Sequence, residues 1–425
     1  MSDAICKSKY LSDIFQHIEE NISANLKTEL ISSAGYVSRD KLYYDFYSLT
    51  GHSVKEYIRK RRLSNALALI KASDMSFEDV ALRCGYTAYL TMWREIKQML
   101  DLTPSEYKES DTYFIFPPFN GELLHSVTIS NKIFPKTICL LFYHSQLQGI
   151  EDTAINALFK LLPNYDGRIF GRNGKQVSNG FCYELYLTNV NQNYSILLAH
   201  GFEISRNQPY FASTFAMTTV QNEQSKINSA WNYLYSEWLQ RSMFEYTGKP
   251  YFEEYIVKNS HVTKLKLYLP IKKRSSNIKI SLVSNPNLRF IVAKANGSNA
   301  DEVASHKVMK HLTTHYSHIA KTSRELYHQK LANAEICGVR INHEILVEND
   351  KNIGDILTTH DQYLVLESNV VGEYDRYADM LLTFALEHGM KSDKTGIFAV
   401  YDARESFQNV RLKMYCPVKF SYKMK

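Results

Sequence analysis

Residues 53–72 read SVKEYIRKRRLSNALALIKA, and this stretch decides how the first quarter of the chain folds. Ser53 followed three residues later by Glu56 is a capping-box pattern, which starts a helix. Apolar residues then recur at three- and four-residue steps, so the sequence predicts a helix with one buried face that ends at about Ala72. This long helix links two shorter helical segments.

The segments on either side of the linking helix each read as a helix, a tight turn and a second helix. Before it, a turn at Gly35, where we expect the left-handed conformation, leads to a helix capped by Ser38. After it, Ser76 starts a short helix that ends at Gly85, and another helix runs to about Leu100. The prediction is an all-α domain whose two helix-turn-helix units can read successive DNA major grooves about 34 Å apart.

This region resembles the DNA-binding domain of AraC-type regulators over about residues 8–109. The motifs that carry the resemblance are Leu42-Tyr43-Tyr44-Asp45-Phe46, Thr50-Gly51-His52-Ser53, Asp79-Val80-Ala81, Cys84-Gly85-Tyr86 and Thr103-Pro104-Ser105-Glu106-Tyr107. The resemblance implies a sequence-specific transcription regulator, most simply an activator, with promoter DNA and RNA polymerase as partners. Gly35 lies one residue earlier than in the family pattern, and Leu90 is apolar where a polar base-reading residue is common.

The resemblance also places two sets of side chains on the groove faces of the recognition helices. They are Arg39, Asp40, Tyr43 and Tyr44 in the first unit, and Tyr89, Leu90, Thr91 and Arg94 in the second. For Tyr43 and Tyr44 packing between helices is the alternative, and we predict that one of the two contacts DNA.

A basic cluster lies on the linking helix. Cations there can pair with DNA phosphates and position the protein without reading the sequence. We predict phosphate contacts for Lys55, Arg59, Arg61 and Arg62. A solvated basic face is the alternative.

Beyond residue 110 the chain changes to alternating strands interrupted by helices. The segment from Lys264 to Ile271 matches the segment from Arg411 to Val418, at an offset of about 147 residues. An offset this long indicates two homologous domains rather than a solenoid. We predict two α+β domains with mostly antiparallel sheets, at residues 113–273 and 278–425.

The first domain closes with Trp231, Trp238, then Phe252-Glu253-Glu254-Tyr255 and Lys266-Leu267-Tyr268-Leu269-Pro270-Ile271. In this pattern it resembles GyrI-like effector-binding domains, and the second domain resembles them more weakly. The resemblance implies a pocket for lipophilic, often cationic ligands, with Glu253 as its acidic residue. Strand alternation puts Glu253 and Tyr255 on one face, so of the two adjacent acids only Glu253 is expected to point inward. Trp231, Tyr235 and Trp238 would share one helix face. The second domain has Ala399 in the acidic place, which predicts a structural role or a neutral ligand.

Bulk properties constrain the remaining possibilities. The net charge of +6 does not by itself identify a nucleic-acid partner. No apolar run is long enough to span a membrane, so we expect a cytoplasmic protein. The six scattered cysteines indicate reduced thiols. Neither a catalytic triad nor metal-ligand spacing is evident, and we expect no cofactor and no enzymatic activity. Hydrolysis of a reactive small molecule and sequestration of a toxic compound are the alternative functions.

Overall fold

The computed structural model describes residues 2–119, 125–174, 180–189, 194–205, 212–259, 261–274, 278–347, 350–405 and 409–420. The chain divides into two compact units. One comprises Met1–Ser110, Arg241–Met243 and Arg274–Lys425, and the other comprises Asp111–Gln240 and Phe244–Lys273. The first unit contains the helical domain together with the second of two sheets.

The helical domain contains the predicted pair of helix-turn-helix units. Its helices are α1 (Ser2–Glu20), α2 (Thr28–Ala34), α3 (Arg39–Thr50), α4 (Val54–Ala72), α5 (Phe77–Arg83), α6 (Tyr89–Leu100) and α7 (Pro104–Glu109). The side chains of Ser38, Ser53 and Ser76 each accept a hydrogen bond from a backbone N–H in the first turn of the following helix. These caps and the end of α4 at Ala72 confirm the predicted helix boundaries.

The prediction of a left-handed Gly35 is wrong. Gly35 has φ −95°, and Tyr36 adopts the left-handed conformation with φ 53°. Space at Gly35 is tight, because a Cβ atom there would lie 2.6 Å from Cδ1 of Ile14 in α1, and this side chain would have to shift. The left-handed residue therefore follows the glycine, and the Tyr36 side chain extends into solvent.

The first sheet is antiparallel at every pairing. Its strands are β1 (Thr128–Ile133), β2 (Ile138–His144), β3 (Ile169–Asn173), β4 (Phe181–Leu187), β5 (Phe202–Ile204), β6 (Ala212–Gln221), β7 (Phe244–Tyr246), β8 (Phe252–Lys258) and β9 (His261–Lys273). The order is β1-β6-β9-β8-β3-β4-β2-β5, with β7 paired to β9. The helices are α8 (Ile150–Leu161), α9 (Tyr194–Ala199) and α10 (Gln224–Asn232), followed by a π-helix (Tyr233–Trp238) and α11 (Leu239–Arg241).

The second sheet repeats this arrangement. Its strands are β10 (Lys279–Ser284), β11 (Arg289–Ala295), β12 (Glu325–Leu331), β13 (Ala334–Ile341), β14 (Ile353–Leu357), β15 (Gln362–Ser368), β16 (Met390–Ser392), β17 (Phe398–Asp402) and β18 (Arg411–Phe420). The order is β10-β15-β18-β17-β12-β13-β11-β14, with β16 paired to β18. The helices are α12 (Ala300–His315), α13 (Ser317–Thr322), α14 (Tyr374–Glu387) and a 3₁₀ turn at Lys394–Gly396.

The two sheets have equivalent strand orders, which confirms the predicted α+β fold class for both. The matching segments of sequence form β9 and β18, which hold the same place in the two sheets. Cys84, Cys139, Cys182, Cys337 and Cys416 are free, buried thiols. Among the described residues, no helix is both long and apolar enough to cross a membrane.

His388, directly after α14, makes the stability of the second sheet domain sensitive to acid. Its side chain is buried, it packs on the ring of Phe384, and its Nδ1 has no hydrogen-bond partner within the described residues. Burial, with a smaller contribution from Arg61, lowers the pKa of His388 to about 3. The folded protein therefore keeps this imidazole neutral at a pH where the unfolded chain binds a proton.

We expect this difference to destabilise the protein below pH 6.5, the ordinary pKa of histidine. In that range the unfolded state binds about one more proton, so each pH unit of acidification lowers the free energy of unfolding by about 1.4 kcal/mol. Urea unfolding of the wild type and His388→Leu at pH 7.5 and 5.5 measures this loss. A loss of the same size in both proteins would show that His388 does not cause it.

Candidate nucleic-acid interface and effector cavity

Helix α3 presents its predicted groove-facing residues to solvent. Arg39, Asp40, Tyr43 and Tyr44 are all exposed, whereas Leu42 and Phe46 are buried on the other side of the helix. Tyr44 is the more accessible of the two tyrosines, at 74% exposed against 41% for Tyr43. The sequence reasoning missed Tyr47, an exposed aromatic side chain three residues after Tyr44 on the same helix.

Helix α6 has a similar outer surface. Leu90, Thr91 and Arg94 are exposed, and Met92 and Ile96 are buried. Tyr89 differs from the other predicted residues because its ring is partly covered and stacks on Phe77, with 6.3 Å between the ring centroids. Among the predicted base-reading residues of α6, full exposure therefore begins at Leu90.

The predicted phosphate contacts divide into two classes. Lys55 is exposed, and the Arg59 side chain is 41% exposed with its Nε 3.6 Å from Glu95 Oε1, so both are accessible to a phosphate. The predictions for Arg61 and Arg62 are wrong. Arg61 is fully buried, Arg62 is partly buried, and both guanidinium groups donate hydrogen bonds to groups of the helical domain itself.

Arg61 and Arg62 hold the helical domain together. Arg61 is fully buried and donates from Nε and Nη2 to the two carboxylate oxygens of Glu19 in α1, at 2.9 and 3.0 Å. Arg62 donates from Nε to the carbonyl oxygen of Ile22 at 2.8 Å and from Nη2 to that of Ala24 at 2.6 Å. These guanidinium groups fix the end of α1 against α4.

A polar stripe of α4 is covered by the second sheet domain, within the same compact unit. Arg61, Ser64 and Asn65 in this stripe are buried, and α4 contacts β10. The backbone of Gly389, at the turn between α14 and β16, lies so close that a Cβ atom there would be 2.7 Å from Arg61 Nη2. A surface that the sequence assigned to DNA phosphates is in part an intramolecular interface.

A cavity of about 480 Å³ opens in the first sheet domain. Four of the predicted effector-binding residues line it, namely Trp231, Tyr235, Glu253 and Tyr255. Other lining residues that the sequence reasoning missed include Glu151, Asp152, Arg172, Asn173, Tyr183 and Tyr251. They come from α8, β3, β4 and the segment before β8, so only the tertiary structure brings them together.

The prediction that Trp238 faces the effector is wrong. Trp238 is 3% exposed and stacks on Phe244 in the core, with 6.2 Å between the ring centroids. The cause is the π-helix at Tyr233–Trp238, whose wider turns rotate Trp238 away from the face that carries Trp231. Tyr235 still lies beside Trp231, with 5.9 Å between the two ring centroids.

Glu253 is the central polar group of the cavity. The indole Nε1 of Trp231 donates a hydrogen bond to Glu253 Oε1 at 2.8 Å. Burial raises the pKa of Glu253, the Trp231 hydrogen bond opposes this, and the nearby carboxylates of Glu151 and Asp152 add to the rise. Within the part of the chain that the structure describes, no basic side chain pairs with Glu253.

The adjacent Glu254 is more deeply buried than Glu253 and lies on the opposite face of β8. Arg168 Nε donates to its Oε1 at 2.7 Å, and the hydroxyl of Tyr268 donates to its other oxygen. Only Glu253 of the two acids lines the cavity, as the strand alternation predicts. The contrast is chemical as well as geometric, because Glu254 has an arginine partner.

Tyrosine hydroxyls form the wall next to Glu253. The hydroxyls of Tyr183 and Tyr255 share a hydrogen bond. The Tyr183 ring lies directly over Gly171, where a Cβ atom would be 2.4 Å from the Tyr183 hydroxyl oxygen. A glycine at this position in β3 is therefore required for the wall of the cavity.

Comparisons with known proteins separate the helical domain from the sheets. A family model described as a helix-turn-helix domain matches residues 31–110. The probable transcription factor PqrA of Proteus vulgaris is 31% identical over 104 residues, which are 24% of this chain and 85% of that protein. The chain belongs to the AraC-type family of transcription regulators. The regulatory protein SoxS of Escherichia coli K12 is 28% identical over 100 residues, 24% of this chain and 94% of that protein.

These findings make the chain an AraC-type regulator that binds DNA through its helical domain. A solved regulator with an AraC-type DNA-binding domain from Chromobacterium violaceum is 25% identical, covering 24% of this chain and 90% of its own, with a TM-score of 0.23. A second family model, described as an integron-associated effector binding protein, matches residues 211–271. That stretch of the AraC-type regulator includes Trp231, Tyr235, Glu253 and Tyr255.

Proposed function

We propose that this AraC-type regulator senses a lipophilic cation in the cavity of its first sheet domain and activates transcription in response. The observation that carries the proposal is the partly buried carboxylate of Glu253, which lies among aromatic rings and has only neutral hydrogen-bond donors beside it. Desolvating a carboxylate is costly unless a cation or further donors compensate. A cationic ligand would supply that compensation.

The rest of the cavity supports the same ligand class. Glu151 and Asp152 add negative charge, while the one arginine of the lining, Arg172, is paired with Glu184 at 2.5 Å. The rings of Trp231, Tyr235 and Tyr251 offer faces that attract a cation. A volume of about 480 Å³ suits a small organic molecule.

We propose that the exposed surfaces of the helical domain bind promoter DNA. Arg39, Asp40, Tyr43 and Tyr44 on α3, with Leu90, Thr91 and Arg94 on α6, are the proposed base-reading residues. Tyr89 is a weaker candidate because Phe77 covers it. Lys55 and Arg59 are the proposed phosphate contacts. RNA polymerase is the proposed protein partner, and the cytoplasm, where bacterial promoters are, is the proposed site of action.

We propose binding of the effector without conversion. The relatives are transcription regulators, which are not enzymes. The Tyr255 hydroxyl, the candidate acid or base beside Glu253, is buried and tied to Tyr183, and burial raises its pKa well above the ordinary value. Such a phenol is a poor proton donor or acceptor near neutral pH.

The proposal is tested by combining effector binding with DNA binding. Tetraphenylphosphonium is titrated into the purified full chain by calorimetry, and binding to DNA from upstream of its own coding region is measured by fluorescence anisotropy with and without this cation. We expect the wild type to bind the cation and to change its DNA affinity. Glu253→Gln preserves the acceptor for Trp231 but removes the charge, so cation affinity should fall at least about tenfold.

Glu237→Gln is the matched control. Glu237 is an exposed acid on the π-helix that carries Tyr235, and its side chain does not line the cavity. It should bind the cation like the wild type. Equal cation affinity in Glu253→Gln and the wild type would contradict the proposed site. Cation binding without any change in DNA affinity would instead favour sequestration.

A further inference from the structure

The strand register of the two sheets identifies equivalent positions around the effector cavity. In the first sheet Gly171 is opposite Glu253, and Asn173 is opposite Tyr183. In the second sheet His328 is opposite Ala399, and Lys330 is opposite Glu335. Counting along the equivalent strands, His328 therefore takes the place of Gly171, and Glu335 takes the place of Tyr183.

The second domain has an acidic residue at a different position of the equivalent region. The carboxylate that β8 provides in the first domain, at Glu253, is absent from β17, where Ala399 is fully buried. A carboxylate is present two strands away, on the other side of β12, at Glu335 in β13. It is partly shielded from solvent, with 29% of its side chain exposed.

This relocated carboxylate already has a nitrogen donor from its own domain. His328 Nε2 lies 2.7 Å from Glu335 Oε2, and the imidazole packs beside the rings of Tyr374 and Tyr401, with centroids 5.2 and 6.2 Å away. The first domain has room for no side chain at this position, because Tyr183 covers Gly171. The imidazole of His328 therefore lies beside the carboxylate of Glu335 and the rings of two tyrosines.

A lysine side chain completes the arrangement. Lys330 Nζ is paired with Asp375 at 3.0 Å and lies 5.3 Å from the centroid of the Tyr374 ring. The acid, the aromatic rings and the cationic or nitrogen-donor groups are thus all supplied by the second domain itself. An added ligand has no unpaired carboxylate to neutralise at this place.

We propose that His328 is a built-in substitute for the effector, so that the second sheet domain is permanently occupied and only the first domain takes a cation. The ligand class rests on the function proposed above, whereas the self-occupied site rests on the His328 contacts alone. The consequence is one effector per chain despite two homologous domains.

Chemical rescue tests the substitute directly. His328→Ala removes the imidazole and leaves Glu335 beside an opened space, so the melting temperature should fall and free imidazole should restore it in a saturable way. His318→Ala, which removes an exposed histidine of the same domain, is the matched control and should show no such response. The double variant His328→Ala with Glu335→Gln should lose the rescue.

Stoichiometry provides a second, independent measurement on the full chain. Calorimetry with tetraphenylphosphonium should give one site in the wild type, and the same single site with at least about tenfold lower affinity in Glu253→Gln. A second site that survives Glu253→Gln and disappears in Glu335→Gln would overturn the inference, as would imidazole stabilising His328→Ala no more than His318→Ala. If the wild type binds no cation, the proposed function fails while the rescue experiment still decides the role of His328.

Discussion

Replacing Arg61 with alanine is expected to lower the free energy of unfolding by roughly 3 to 5 kcal/mol, as when one partner of a buried ion pair is removed. Arg61 is fully buried and binds both oxygens of Glu19, so its loss leaves a carboxylate that is only 13% exposed without its cation. The loss also opens a void under Gly389, where the second sheet domain contacts α4. Urea unfolding followed by circular dichroism measures the change.

Arg59→Ala is the matched control for this prediction. Arg59 lies on the same helix, but its side chain is 41% exposed and 3.6 Å from Glu95, so its removal should change stability by less than about 1 kcal/mol. Similar stability losses in the two variants would show that Arg61 is not a special structural contact. An unchanged stability in Arg61→Ala would restore the interpretation of Arg61 as a surface cation.

Replacing Arg94 with alanine is expected to weaken DNA binding about 10- to 100-fold, and only for operators with the native sequence at one subsite. Arg94 is exposed on α6, and a side chain that reads a base edge contributes about 1 to 3 kcal/mol of discrimination. Affinity for DNA altered at that subsite should be the same in the variant and the wild type. Anisotropy titrations with a panel of single-position operator variants measure this selectivity.

Arg59→Ala should affect DNA binding in a different way. A phosphate contact is independent of sequence, so affinity should fall equally for all operators and the salt slope should decrease by about 0.9. Arg404→Ala, at an exposed position in the second sheet domain, is the control and should change neither quantity. An Arg94→Ala effect that is the same on every sequence would assign Arg94 to the phosphates instead.

The variants Arg61→Ala and Arg59→Ala are expected to separate protein stability from DNA recognition on one helix, α4. Lys55 and Arg59 are accessible, whereas Arg61 and Arg62 bind Glu19 and backbone carbonyl groups within the domain. Four basic residues that look alike in sequence therefore occupy two different environments. The division also explains how a sheet domain can pack on α4 without covering the exposed residues of α3 and α6.

Features that depend on neighbouring residues could be predicted from the sequence. Hydroxyl caps at Ser38, Ser53 and Ser76 fixed where helices begin, and apolar periodicity fixed α4 through Ala72. The internal match of β9 with β18 established two related sheet domains. Each of these signals lies within a few residues of the element that it specifies, or repeats along the chain.

The surroundings of each functional side chain depend on long-range contacts and could not be predicted from the sequence. The burial of Arg61 depends on α1 and on the turn at Gly389, and the displacement of Trp238 depends on a π-helix that its seven-residue spacing does not reveal. Glu253 faces a cavity and His328 faces Glu335 because strand register brings distant segments together. Register and helix packing are set by contacts between residues far apart in the chain, and for that reason no local pattern could specify them.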